Sequence, residues 1–446
     1  MDTKSLAALG VALPEILVPG DGVDIRNWSV IACDQYTSEP EYWERVARET
    51  AGIPSTFHCV FPETYLENGD PEGRIRSIRR AMTEYAGSGV LKALPPGIVL
   101  VERSTPFHES RRGIVLALDL DLYDFRPGSS SLIRPTEGTI LERLPIRVRI
   151  RRDAPLEFPH ILILVDDPEK TVIEPLFADA SSFPIIYDSD LMAGAGHVTG
   201  RFIPSHTAAP RLAGSLEALL RPGRLRNRYG REDRLLFAVG DGNHSLAAAK
   251  SVWEEKKLHL SPAEAASHPG RFALVEVVNL FDPGIQFEPI HRILTGVDPS
   301  DFFRHLRSRG GCMLTPAQPG ESEDLLGGAP GPFDDVAIIA GGRSTFLTFP
   351  DNGGGRPAGV VDRIIDEYIG AVKKGRTDYI HGRESLVTLC ENADAVGFLL
   401  PSLRKDMLFP IIARDGVLPR KAFSIGEASE KRFYLEGRRI DVCQER

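Results

Sequence analysis

The sequence predicts an α/β or α+β protein in which mixed sheets carry flanking helices. Three observations support this class. Apolar runs rich in strand formers recur along the 446 residues, many of them alternate with segments of helical character, and 42 glycines with 34 prolines interrupt the chain too often for a long-helix bundle. Taken in order, strands fall at 97–101, 113–118, 160–165, 235–239, 273–279, 336–340 and 395–400. Helices fall at 39–51, 71–85, 212–220, 245–257, 299–308 and 359–373. Two stretches break the alternation. Residues 309–334 are rich in Gly, Pro, Ser and acid around a small helix at 321–326, and 351–357 is a glycine-rich loop. Between them, 336–349 reads as a hairpin turning at Gly341-Gly342. The expected organisation is a main α/β part at 1–296, a small inserted or second subdomain at 297–357, and a C-terminal segment at 358–446 that completes the main core.

Charge and cysteine usage narrow the function without naming it. The 53 Lys and Arg against 62 Asp and Glu leave a net charge of −9, which disfavours a nucleic-acid partner held by bulk positive charge. No apolar stretch reaches the roughly 18 residues of a membrane helix, so no membrane partner is expected. The start, Met1-Asp2-Thr3-Lys4 followed by a short run with Pro14 and Glu15, is a poor secretory signal. Five scattered cysteines (Cys33, Cys59, Cys312, Cys390, Cys443) lack C-x-x-C spacing. They suit neither a disulfide framework nor a zinc knuckle, and they point to a reducing cytoplasm. The oligomeric state stays open.

The most informative segment is Leu235-Leu-Phe-Ala-Val239-Gly240-Asp241-Gly242-Asn243-His244-Ser245-Leu246. An apolar strand ends at two glycines around an aspartate, and a helix begins. Glycines let a backbone approach a ligand, and the first N–H groups of a helix have no partner within it, so the turn suits an anion. Asn243, His244 and Ser245 stand at its mouth as hydrogen-bonding groups. Asp241 suits a metal ion that accompanies a phosphate, or the proton of an alcohol. A plain capped strand-to-helix turn accounts for the same residues structurally.

Four further segments carry polar groups. Residues 279–294 contain an Asp282-Pro283-Gly284 turn and then His291-Arg292, a proton carrier beside a bidentate anion binder; a hairpin with a packing histidine is the alternative. In residues 143–152 arginines alternate with apolar residues, as on a strand with one polar face, and Arg147 is the candidate for a phosphate. Residues 418–428, with Arg420-Lys421, supply point charges for a polyphosphate ahead of Lys431-Arg432-Phe433-Tyr434. At 30–37 a strand runs into Asp34, Gln35 and Tyr36, which suit a pocket wall or a capped turn, and His381 in Asp378-Tyr-Ile-His-Gly382 is of the same sort. Cys33 has no base beside it in this reading.

Together V-G-D-G-N-H-S-L-A-A-A-K, F-D-P-G-I-Q-F-E-P-I-H-R, D-Y-I-H-G and L-P-R-K-A-F-S resemble, in order and spacing, a widespread bacterial family catalogued as domain of unknown function 1015. The resemblance runs from the turn at 31–37 to Arg420-Lys421. Most members carry D-G-H-H-R at the central turn; here Asn243 and Ser245 replace the first His and the Arg. That turn is also similar to the phosphate-handling motif of free-serine kinases of the ParB and sulfiredoxin-like fold, and family members tend to be encoded near serine-biosynthesis enzymes. The resemblance implies a ParB/sulfiredoxin-like strand-turn-helix unit within the core. It also implies a small-molecule kinase that moves phosphate from ATP, with Mg2+, to the hydroxyl of L-serine or a related metabolite. On that reading Gly240, Gly242, Asn243, Ser245, Arg147, Arg292 and Lys421 bind phosphate or nucleotide. Asp241, His244 and His291 are the catalytic groups, with Asp241 also the metal ligand, and Asp34, Gln35, Tyr36 and His381 line the substrate pocket. A nucleotide- or metabolite-binding regulator without turnover, and a phosphoserine-type phosphatase, are the alternatives.

Overall fold

In the computed structural model, which describes residues 2–66, 70–316, 336–349 and 357–441, the chain is a mixed α/β protein built as two compact units. The first comprises Met1–Ile285, Ile412–Gly416 and Glu427–Arg446, and the second Gln286–Ile411 and Val417–Gly426.

The sheet of the first unit runs Ile185–Asp190, His197–Pro204, Gly97–Ser104, Arg111–Asp119, Phe272–Asn279, Leu162–Val165, Phe237–Asp241, Ile133–Pro135. Most neighbours are antiparallel, but Phe272–Asn279 lies parallel to Leu162–Val165, and Phe237–Asp241 parallel to Ile133–Pro135. Its central strands read as continuous apolar runs because both faces are covered. Alternate residues divide between two cores: Val99, Val101, Val115 and Leu274 join Trp28, Trp43, Ile78 and Met82 on one side. Ile98, Leu100, Ile114 and Val275 join Leu212, Leu246 and Trp253 on the other.

The second unit is antiparallel, in the order Met313–Pro316, Arg343–Thr348, Val336–Ala340, Ala395–Leu399, Phe287–Thr295, Arg376–His381. Helices Pro299–Arg309 and Pro357–Val372 bury Phe302, Leu306, Val361, Ile364 and Tyr368 against Ile338, Leu347 and Phe398. The expected hairpin is present, and Gly341 (φ 56°) and Gly342 (φ 71°) supply the left-handed turn that matches strand twist. The stretch 297–357 lies inside this larger unit, and residues 358–411 continue it. The reason is that Phe287–Thr295 pairs with Arg376–His381, Ala395–Leu399 and Phe423–Ile425. The small helix expected at 321–326 and residues 351–356 of the glycine-rich loop lie outside the described residues.

One expectation is corrected outright: the arginine-rich stretch is a helix, Leu144–Arg152, and not a strand. Alternation of Arg with Ile and Val satisfies period two, but i, i+4 pairs (Ile146 with Ile150, Arg147 with Arg151) satisfy a helix equally.

Candidate functional site

Strand Phe237–Asp241 ends in a turn at Gly242, and helix Asn243–Lys257 follows. Gly242 has φ 79°, the left-handed conformation that favours glycine, and a Cβ there would come 3.1 Å from the Ile161 backbone, a tight approach. The Gly242 N–H donates to Asp241 Oδ1 at 2.8 Å, and Asp241 Oδ2 meets Lys431 Nζ at 3.4 Å. Asn243 is buried; its Nδ2 reaches Thr136 Oγ1 at 3.4 Å, while its Oδ1 has no hydrogen-bond partner. His244 Nε2 accepts the Ile140 N–H at 3.2 Å. That bond gives His244 a structural link to the neighbouring loop.

Ser245 begins a relay. Its Oγ lies 3.3 Å from His160 Nε2, and His160 Nδ1 lies 3.0 Å from Tyr434 Oη. Tyr434 Oη accepts the Cys33 N–H at 3.1 Å, and burial first, then Cys33 and Asp34, hold its phenol far above the ordinary value. Ser245, His160 and Tyr434 thus form one hydrogen-bonded chain from the start of helix Asn243–Lys257 to the strand that pairs with Val30–Ile31.

Strand pairing brings the distant parts of this site together. Val30–Ile31 pairs with Phe433–Tyr434, so Asp34 and Lys431 emerge from adjacent strands. Burial alone would raise the Asp34 carboxyl, but His160, the Gln35 side chain (Nε2 to Oδ1, 3.0 Å), Lys431 and Arg147 outweigh it and hold it below the usual carboxylate range. The Trp43 indole donates to the Gln35 carbonyl at 3.0 Å and fixes the turn. Tyr36, at φ 52°, stacks its ring on that of Tyr42, with centres 4.1 Å apart. Arg147 pairs with Glu63. Cys33 is no nucleophile: burial, then Asp34, pushes its thiol up to about 12. Lys431 is fixed from behind, since buried Arg103 donates to the Ser429, Glu430 and Lys431 carbonyls and Arg111 to that of Glu430. A cavity of about 140 Å³ adjoins these groups, with Arg147, His160, Ser245 and Tyr434 in its wall.

The other expected residues lie in the second unit. Arg292 is fully buried there, and its five N–H groups are all engaged: by both oxygens of Asp362 and by the carbonyls of Ile290, Arg420 and Lys421. A guanidinium has five donors, so Arg292 has none for a phosphate, and that expectation is corrected. His291 is also buried; its Nδ1 accepts the Leu400 N–H at 3.1 Å, and burial first, then Arg292, Arg383 and His381, lower it to about 4. Lys421, at φ 51°, lays its ammonium 4.8 Å from the centre of the Tyr379 ring. His381 ends the strand that pairs with Ile290. Of the candidates from sequence, the structure brings Asp34, Gln35 and the Gly240–Ser245 turn into one neighbourhood through Lys431 and His160. Sequence reasoning did not establish that convergence. It missed His160 and Glu63 there, and it did not single out Lys431 or Tyr434. His160 opens a run that reads only as a strand.

Among the described residues no group of three or more His, Cys, Asp and Glu is arranged to hold a metal ion, and no helix is long and apolar enough to cross a membrane. Fold and site define a mixed α/β protein with an acid, base and cation cluster at a helix start. The chain belongs to the family described as "Protein of unknown function (DUF1015)", which matches residues 17–351. No curated relative matches it. Among solved structures it is similar to a free serine kinase in complex with AMP (12% identity, TM-score 0.37, covering 73% of this chain and 91% of that one). It is also similar to a conserved hypothetical protein from Pyrococcus furiosus (12%, 0.35, 73% and 95%). A third is SbnI with C-terminal truncation from Staphylococcus aureus (11%, 0.37, 74% and 90%).

Proposed function

We propose that the chain is a small-molecule kinase that transfers phosphate from a nucleotide such as ATP to the hydroxyl of L-serine or a related metabolite. The observation that carries this is Lys431: it pairs with Asp241 and stabilises the Asp34 carboxylate, both beside the start of helix Asn243–Lys257. Phosphoryl transfer needs little covalent help from a protein. It needs charge neutralisation, alignment and a group that takes the alcohol proton. The N–H groups at Asn243, His244 and Ser245 suit the transferred phosphate, Lys431 neutralises its charge, and Asp34 accepts the proton as the alcohol oxygen bonds to phosphorus and the nucleoside diphosphate leaves. A Mg2+ ion borne by the nucleotide takes only one or two carboxylates besides phosphate and water. Asp241 would supply one of these, and the ion would add charge neutralisation.

The test is phosphate-donor consumption over a panel of hydroxy amino acids with Mg2+. Wild-type chain should consume donor with at least one of them, and Asp241→Asn should lose about 1,000-fold in turnover while keeping its circular dichroism. Full activity in folded Asp241→Asn, or no consumption with any donor and acceptor, overturns the assignment.

A further inference from the structure

The cavity beside Ser245 and His160 is walled largely by apolar side chains. At about 140 Å³ it matches an engineered core cavity that takes up benzene. Phe61, Met82, Ile146, Ile150, Leu156 and Phe158 form much of its lining. Its polar lining includes His160 and Ser245, hydrogen-bonded to each other, the Arg147–Glu63 pair, and Glu157 with Arg151, which lies one helical turn beyond Arg147 on the same face.

Arg151 pairs with Glu157 through one nitrogen, at 2.5 Å, while its other terminal nitrogen is buried with no hydrogen-bond partner. Glu157 already meets Arg438 at 2.7 Å, so two guanidinium groups face one carboxylate. A buried, unpartnered donor beside surplus positive charge is costly unless a ligand oxygen completes it.

We infer that this cavity binds a hydroxy acid whose body carries an apolar group about the size of a six-membered ring. Its hydroxyl faces Ser245 and His160, and its carboxylate faces Arg151. The inference rests on the kinase reading and deepens it, because it makes the acceptor an apolar, β-substituted relative of serine. Burying a ring in these walls favours that ligand over serine by about tenfold or more.

The experiment compares threo-β-phenylserine with L-serine, which lacks the ring, on the full chain without nucleotide. Affinity is read by calorimetry and occupancy by the methyl signals of the five methionines, with Met82 identified through Met82→Leu. Phenylserine should bind about tenfold tighter or more and move the Met82 signal at saturation, and Arg151→Met should weaken it about tenfold. Equal or tighter binding of serine, or an unmoved Met82 signal, overturns the inference; unchanged affinity in Arg151→Met overturns the carboxylate placement. Should Arg151→Met fail to fold, the Met82 signal in the native chain still decides. Phenylserine that fills the cavity yet accepts no phosphate from any donor counts against the kinase reading alone.

Discussion

Arg147 and Arg292 carry the same expectation from sequence, a guanidinium for phosphate, and end in different surroundings. Arg147 lies on a helix whose face lines a cavity, paired with Glu63 and within electrostatic reach of Asp34. Arg292 is sealed within the second unit, with every donor held by protein oxygen. The histidines beside them divide in the same way. His160 joins a relay that ends at a serine on the cavity wall, whereas His291 holds one backbone N–H of its own unit. Residue type does not separate these cases. The presence of a cavity beside Arg147 and the closed set of protein oxygens around Arg292 do.

The largest effect that sharpens this contrast is the loss of turnover in Asp241→Asn, about 1,000-fold or roughly 4 kcal/mol in the barrier, with little change in stability. The reverse is expected of Arg292→Met. It strips Asp362 of its partner and leaves three carbonyls without their donor, at a cost of about 3 kcal/mol or more in the stability of the second unit. Denaturant unfolding measures this. A stable Arg292→Met that has lost nucleotide binding would break the comparison, because Arg292 would then be acting on a ligand.

Strands were the most legible part of the fold, since central runs such as Gly97–Ser104 and Phe272–Asn279 are apolar on both faces. The strand-turn-helix at Gly242 was legible too, because glycine and helix-start chemistry are local. Helix Leu144–Arg152 was misread, as its two periodicities coincide over so short a segment. His160 and Lys431 escaped for a different reason: only the pairing of Val30–Ile31 with Phe433–Tyr434, some 400 residues apart, brings Lys431 to Asp34. No local pattern encodes such a register.

A smaller effect follows from His291. Its folded value of about 4 lies below the ordinary 6.5, so between these the unfolded chain binds a proton that the folded unit excludes. Stability from the neutral imidazole is complete above about pH 7 and is lost as pH falls from 6.5 toward 4. From pH 7 to 5 the wild type should lose about 2 kcal/mol more than His291→Asn, whose amide oxygen can still accept the Leu400 N–H. Parallel pH profiles for the two chains would show that His291 does not carry this dependence.

The smallest effect concerns Tyr434→Phe, which tests whether the first unit tolerates loss of a hydrogen-bonding group better than the second. Phenylalanine fills the same space but removes the acceptor of the Cys33 N–H and the donor to His160 Nδ1. The Cys33 N–H bond is part-buried and the His160 contact buried, so the cost should stay at about 1–2 kcal/mol. The imidazole then loses the partner of its Nδ1, so the ring that meets Ser245 at the cavity wall is no longer held from behind. Affinity for a hydroxy acid should therefore fall several-fold while the melting temperature drops by only a few degrees. A large loss of stability with unchanged ligand affinity would assign Tyr434 to the core and take the relay out of the site.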